Sequence, residues 1–175
     1  IDPATAEPIA YVAQGSAGDA DRAVAAARAA LPVWKRLRAA ERGRILYRMA
    51  ELVRADQEAL IATESLDGGK PLAGVRRQDM PAAIDTLAYY AGWADKINGQ
   101  VVPCRPGALT YTVREPVGVV AAIVPWNMPQ FLVITKLIPA LLAGCTVIVK
   151  PAPESPLNAM LLAEGWNSPR ATICM

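Results

Sequence analysis

Hydrophobic positions fall into two regimes, a helical period through about the first hundred residues and an extended one after it. Residues 1–12, with Asp2-Pro3 and Glu7-Pro8 as turn signals around short apolar pieces, predict the end of a small hairpin. From Asp19, an N-cap residue type, residues 20–31 place Val24, Ala27, Ala30 and Leu31 on one stripe until Pro32, which is expected to interrupt the helix. Ile45, Leu46, Met49, Leu52 and Val53 repeat at helical spacing between arginines and glutamates, which predicts an amphipathic second helix. Asp56 is placed to cap a third helix that runs to Leu66 and is ended by Gly68-Gly69. Pro81 opens a fourth through Tyr89, Tyr90 and Trp93, closing at Asn98-Gly99.

Residues 109–114, LTYTVR, then alternate as a strand does, and residues 117–124, VGVVAAIV, form a continuous apolar run between Pro116 and Pro125. That run predicts a buried strand. Residues 129–143 have the length of a helix with Gly144 as its C-cap, residues 146–149 are a second buried strand, and Ser155-Pro156 supply N-cap and N1 of a further helix. The order β-α-β-α predicts an α/β fold. N-terminal helices lead into an incomplete doubly wound parallel sheet of the dinucleotide-binding, Rossmann-like type, with two of its strands present.

Composition narrows the chemistry. The 175 residues carry a net charge of only +2, which gives no reason to expect a nucleic-acid partner. Histidine is absent, which excludes Ser-His and Cys-His nucleophile pairs and histidine metal sites. Cys104, Cys145 and Cys174 are an odd count without paired short spacing, so neither a disulfide framework nor a zinc site is expected, and a reducing, cytoplasmic setting fits. Residues 1–15 show no secretory signal pattern, and the first residue, Ile1, suggests that the start of the protein lies upstream. Residues 131–149 are apolar enough to raise a membrane span, but Lys136, Pro139 and Gly144 interrupt them, and a buried helix followed by a strand is the expected outcome.

Two loops leave the carboxyl ends of the predicted parallel strands, PWNMP at residues 125–129 and KPAPESP at residues 150–156. Ligands bind at that edge of open α/β sheets. Asn127 offers an amide donor between two prolines that restrict the backbone, and Lys150 offers a cation at a strand end. A turn-forming Asn and a solvated edge lysine account for the same residues.

At these residues a resemblance enters. The segment EPVGVVAAIVPWNMPQFLVITKLIPALLAGCTVIVKPAPESPL resembles the cofactor-domain signature of the aldehyde dehydrogenase superfamily. Upstream, IDPATAEPIAYV, DADRAVAAARAAL and ESLDGGKPL are similar to that family's N-terminal hairpin, first helix and helix-ending motif. The resemblance implies oxidation of a small-molecule aldehyde to a carboxylic acid with NAD or NADP. A cysteine thiolate attacks the aldehyde, hydride leaves the thiohemiacetal, and a glutamate assists hydrolysis of the thioester.

By the same resemblance Asn127 is the oxyanion-hole amide, Lys150 meets the adenosine ribose hydroxyls, and Val124, Pro125 and Trp126 line the cofactor's path. Lys136 matches a lysine that assists the active site, with a plain helix lysine as the alternative, and Met128 stands beside the aldehyde entrance or fills core. Many members carry Glu three residues after the lysine of the second loop, and here Pro153 stands there with the acid one residue later at Glu154. Weak discrimination between NAD and NADP, with NAD favoured, is therefore expected, and no metal. Residues 101–116 include a strand of the family's oligomerisation hairpin, which implies a homo-oligomer at full length.

The resemblance divides the chain into a hairpin and helical part at 1–100, that strand at 101–116, the first β-α-β-α part of the dinucleotide-binding domain at 117–164, and an atypical tail at 165–175. It also puts the nucleophilic cysteine, the catalytic glutamate and the pyrophosphate turn downstream of the last residue, so the chain alone is expected to be inactive. Cys145, at the start of a buried strand, is expected to be a small apolar residue and not the nucleophile. The alternative is a non-catalytic module that associates with full-length subunits through residues 109–114.

Overall fold

The computed structural model describes residues 1–167. The cap of helix α1 (Ala17–Arg36) lies three residues before the expected one, because Ser16 and Asp19 cap reciprocally. The Ser16 hydroxyl accepts the Asp19 N–H at 3.3 Å, and the Asp19 carboxylate accepts the Ser16 N–H at 2.8 Å. Pro32 lies inside the helix instead of ending it. It faces solvent, so the Arg28 carbonyl it leaves without an N–H is open to water.

Helices α2 (Ala39–Ala55) and α3 (Gln57–Gly68) follow, and Gly69 ends α3 at φ 67°. Asp56 holds the N-cap position of α3 but makes no capping hydrogen bond with its side chain, contrary to expectation. The next helical run starts earlier and stops earlier than its apolar pattern predicts. It passes from a short α4 (Leu72–Gly74) through a π-helix (Val75–Asp79) into α5 (Met80–Ala91), with Gly92 at its C-cap and Trp93 in the turn beyond. Residues 1–12 form no strand. A local turn, Asp2 N–H to the Glu7 carbonyl and Ala6 N–H to that of Asp2, uses the backbone that a hairpin would need.

The predicted strand at 109–114 pairs over only two residues. β1 (Val101–Val102) and β2 (Thr110–Tyr111) form a small antiparallel ribbon. β3 (Val119–Ile123), α6 (Pro129–Leu142) and β4 (Thr146–Lys150) then form a β-α-β unit whose strands pair in parallel from Val119 opposite Thr146 to Ile123 opposite Lys150. Gly144 turns the chain between α6 and β4 at φ 94°. α7 (Leu157–Asn167) closes the described chain. It runs past Glu164, where the atypical tail is expected to begin, because Trp166 is buried in the main core. The rest of that tail, with Cys174, lies outside the described residues.

The core is built mainly where α2, α5 and α6 meet. Leu46, Met49, Leu87, Ile134 and Ile138 there have no exposure to solvent. Alternation along β4 puts helices on both sheet faces, as a doubly wound α/β fold requires. Val147 and Val149 pack on the core, while the Thr146 hydroxyl donates to the Ala27 carbonyl of α1 at 2.9 Å. β3 departs from expectation, since only Ala122 of its residues is buried and Ile123 is 66% exposed. Among the described residues β4 is its sole strand partner. No helix of the described residues is long and apolar enough to cross a membrane.

Candidate functional site

Parallel pairing brings the two proline-rich loops together. Beyond Ile123 and Lys150 the ladder gains one more rung, from the Val124 N–H to the Lys150 carbonyl at 3.1 Å. The loops are then tied directly, the buried Ser155 hydroxyl donating to the Trp126 carbonyl at 3.1 Å. Ser155 is thus not the N-cap of α7. Its hydroxyl is committed across the site.

Val124 is buried and seats the first loop, while Pro125, Trp126 and Asn127 are exposed above it. Met128 is the N-cap of α6 and Pro129 its first residue, so Asn127 lies just before the positive end of a 14-residue helix, where developing negative charge is favoured. Lys150, Pro153 and Glu154 are exposed on the second loop, and the Lys150 ammonium donates to the Pro151 carbonyl at 2.9 Å. Lys136 is exposed on α6, seven residues beyond Pro129 and so about 10 Å along the helix axis. The structure therefore joins the two loops and leaves Lys136 two turns away.

Neither described cysteine belongs to this place. Cys145 is buried at the start of β4, and the exposed Cys104 donates to the Ala108 carbonyl. Among the described residues no group of three or more metal-ligating side chains gathers.

The second loop is held from below by polar groups that the sequence reading missed. Asp67, near the end of α3, accepts the Leu157 N–H at 2.9 Å and so caps α7 from another helix. Burial holds its carboxyl above the ordinary range, and the Leu157 bond partly offsets that. One turn earlier, Glu64 accepts from the Asn158 side-chain amide at 3.3 Å. Glu64 also lies within hydrogen-bonding reach of Asp79 on the π-helix, and Asp79 is ion-paired with Lys70. Glu64, Asp79 and Asn158 are each 1% exposed. Burial, reinforced by the Asp79 carboxylate, pushes the Glu64 carboxyl up to about 8. The one signal in the sequence was the acidic spacing in ESLDGGKPL, where Glu64 and Asp67 lie three apart on one helix face.

Strand-end loops on a β-α-β unit, with a helix N-terminus behind one and a lysine on the other, define a ligand-binding α/β protein of the dinucleotide-binding class. The aldehyde dehydrogenase family model matches residues 1–170, and the chain belongs to that family. It is 46% identical over 167 residues to aldehyde dehydrogenase 1A1 of Mus musculus, covering 94% of this chain and 33% of that protein. It is 44% identical over 164 residues to retinal dehydrogenase 2 of Homo sapiens, covering 92% of this chain and 32% of that protein. Among solved structures it is similar to PnpE in complex with nicotinamide adenine dinucleotide, with TM-score 0.94, 40% identity, and coverage of 99% of this chain and 35% of that one. An NAD+ complex of aldehyde dehydrogenase from Bacillus cereus gives TM-score 0.94 at 38% identity, over 98% of this chain and 35% of that one. The chain spans about a third of the length of the relatives it matches.

Proposed function

We propose that this chain supplies the oxyanion donor and the adenosine-side cofactor contacts of an NAD(P)-dependent aldehyde dehydrogenase acting on a small aldehyde. The observation that carries this is the fastening of the Trp126 and Ser155 loops over paired strand ends, which holds Asn127 and Lys150 on one edge of the sheet. The donor set fits a dinucleotide, with an exposed cation at the strand end for ribose hydroxyls or phosphate and an exposed indole on the neighbouring loop. Bound NAD or NADP supplies hydride acceptance.

Asn127 donates its side-chain amide to the aldehyde oxygen as thiolate attack makes it negative, and the N-terminus of α6 adds to the same field. Lys150 turns from the Pro151 carbonyl to the ribose. Val124, Pro125 and Trp126 line the path between these two positions. Glu154, with Pro153 beside it, stands at the ribose end of that path. The thiol and the general base are not assigned to any described residue. The β1–β2 ribbon, with Val101, Leu109 and Tyr111 exposed, is the surface assigned to association between subunits.

Asn127→Ala tests the assignment in a full-length protein carrying this chain. Removing one oxyanion donor should lower kcat by roughly 100- to 1,000-fold, about 2.7–4 kcal/mol, with cofactor Kd little changed. Near-normal single-turnover rates in the variant would reduce Asn127 to a turn former.

A further inference from the structure

The buried cluster beneath the second loop plays no direct part in the proposed chemistry, yet its wiring leads there. Four groups on three elements and a connection converge: Glu64 of α3, Lys70 after α3, Asp79 of the π-helix and Asn158 in the first turn of α7. Asp79 lies on the stripe that carries Val75, Ala83, Leu87 and Ala91 into the core, a place where a lone carboxylate would be costly. Lys70 pairs it. Glu64 then adds a second carboxyl beside the first with no second cation, and its Oε1 and the Asn158 Oδ1 are buried without a hydrogen-bond partner.

Two buried carboxyls against one ammonium balance in charge only when they hold one proton between them. That proton, on Glu64 Oε1 and donated to Asp79, also gives the orphaned oxygen its partner. The other charged groups nearby do not supply a substitute. Asp67, one turn along α3, is engaged by the Leu157 N–H, and Arg76 of the π-helix is paired outside with Glu58.

We propose that Glu64 is a proton-dependent positioning residue. The proton it shares with Asp79 keeps the first turn of α7, and with it the Lys150–Glu154 loop, in place through Asn158. Its consequence for the cofactor rests on the function proposed above. Its consequence for order does not. Loss of the proton leaves two carboxylates in contact in a dry site, and the least costly relief is outward movement of the loop and the helix start, since α3 and the π-helix are fixed by the core.

The direction follows from linkage. The unfolded chain releases this proton near the ordinary 4.5, whereas the folded chain keeps it to about 8. The folded state therefore binds more protons between those values, and the contribution of Glu64 to stability is complete below the first and lost as pH rises through the second.

Hydrogen exchange of the 175-residue chain from about pH 7 to 9 reads the effect locally once intrinsic rates are divided out. Amides at residues 152–160 should lose protection by about tenfold or more in the wild type, while α2 and α5 amides hold theirs. Glu64→Gln, which offers an N–H where the acid offered its O–H, should be flat over that range. So should Asp79→Asn, which leaves a single carboxyl beside Lys70, and either variant suffices if the other does not fold. A flat wild type, variants that fall in parallel with it, or a loss spread equally over α2 and α5 would overturn the proposal. NAD binding by a full-length protein carrying this chain separates the two readings. An affinity that weakens over the same interval in wild type but not in Glu64→Gln supports both. An affinity indifferent to pH while the amides respond leaves Glu64 as a positioning residue and removes the loop from the cofactor site.

Discussion

The junction of α2, α5 and α6 and the edge of β3 are both written in apolar residues, yet among the described residues only the first is covered on every side. Leu87 and Ile138 are sealed between helices close to them in sequence or space, whereas Ile123, in an equally apolar run, is 66% exposed. A helix with one apolar stripe needs one neighbour. A strand that is apolar on both faces needs a layer above, a layer below and pairing on both edges. The difference teaches that a continuous apolar run states what a strand requires, not what its surroundings provide.

Truncation sharpens the contrast most. Leu87→Ala should cost about 2–5 kcal/mol in urea unfolding, through lost burial and the cavity it leaves. Ile123→Ala should fall within about 0.5 kcal/mol. Equal costs would break the comparison and mean that the β3 edge is covered in solution.

A smaller effect tests the loops above that edge. With no carboxylate at Pro153, kcat/KM for NAD and NADP in a full-length protein should differ by only about one to two orders of magnitude, about 1.4–2.8 kcal/mol, NAD leading. Pro153→Glu should widen the gap by penalising the 2′-phosphate. Strict NAD use that the variant leaves unchanged would point to Glu154 as the group already guarding the ribose. A smaller effect than the cofactor preference is expected of Ser155→Ala, which unties the loops. It should cost about 0.5–1.5 kcal/mol in unfolding and raise the exchange of loop amides above that of the core.

Much of this was legible in the chain because local chemistry decided it. The stripe from Ile45 to Val53, the glycine stops at Gly69 and Gly144 and the strand at 146–149 lie where their periods put them. The misses share a cause, a partner chosen from far away or from an unexpected neighbour. Asp19 has the residue type of a cap but serves at N3, because Ser16 takes the cap itself. Ser155 and Pro156 have the order of a helix start, yet the Ser155 hydroxyl goes to Trp126 and the Leu157 N–H goes to Asp67. Residues 1–12 and 109–114 carry strand signals, but among the described residues the first pair with no strand and the second over two residues only. At the candidate site the two loops were visible from their motifs and position. The polar cluster under them was not, since Glu64, Asp79 and Asn158 look on paper like ordinary solvent-facing helix residues.

The hydrogen bond from Thr146 to the Ala27 carbonyl joins groups 119 residues apart. At the usual pace of about 5–20 residues per second, a ribosome needs roughly 6–24 seconds to deliver one after the other. Throughout that delay α1 emerges with the stripe that will meet β4 still bare, able to form as a helix before either strand of its sheet, β3 first and then β4, is made. Helix α1 is thus made well before the strand it docks on, and the nascent chain must keep that surface from other sticky partners until β4 arrives.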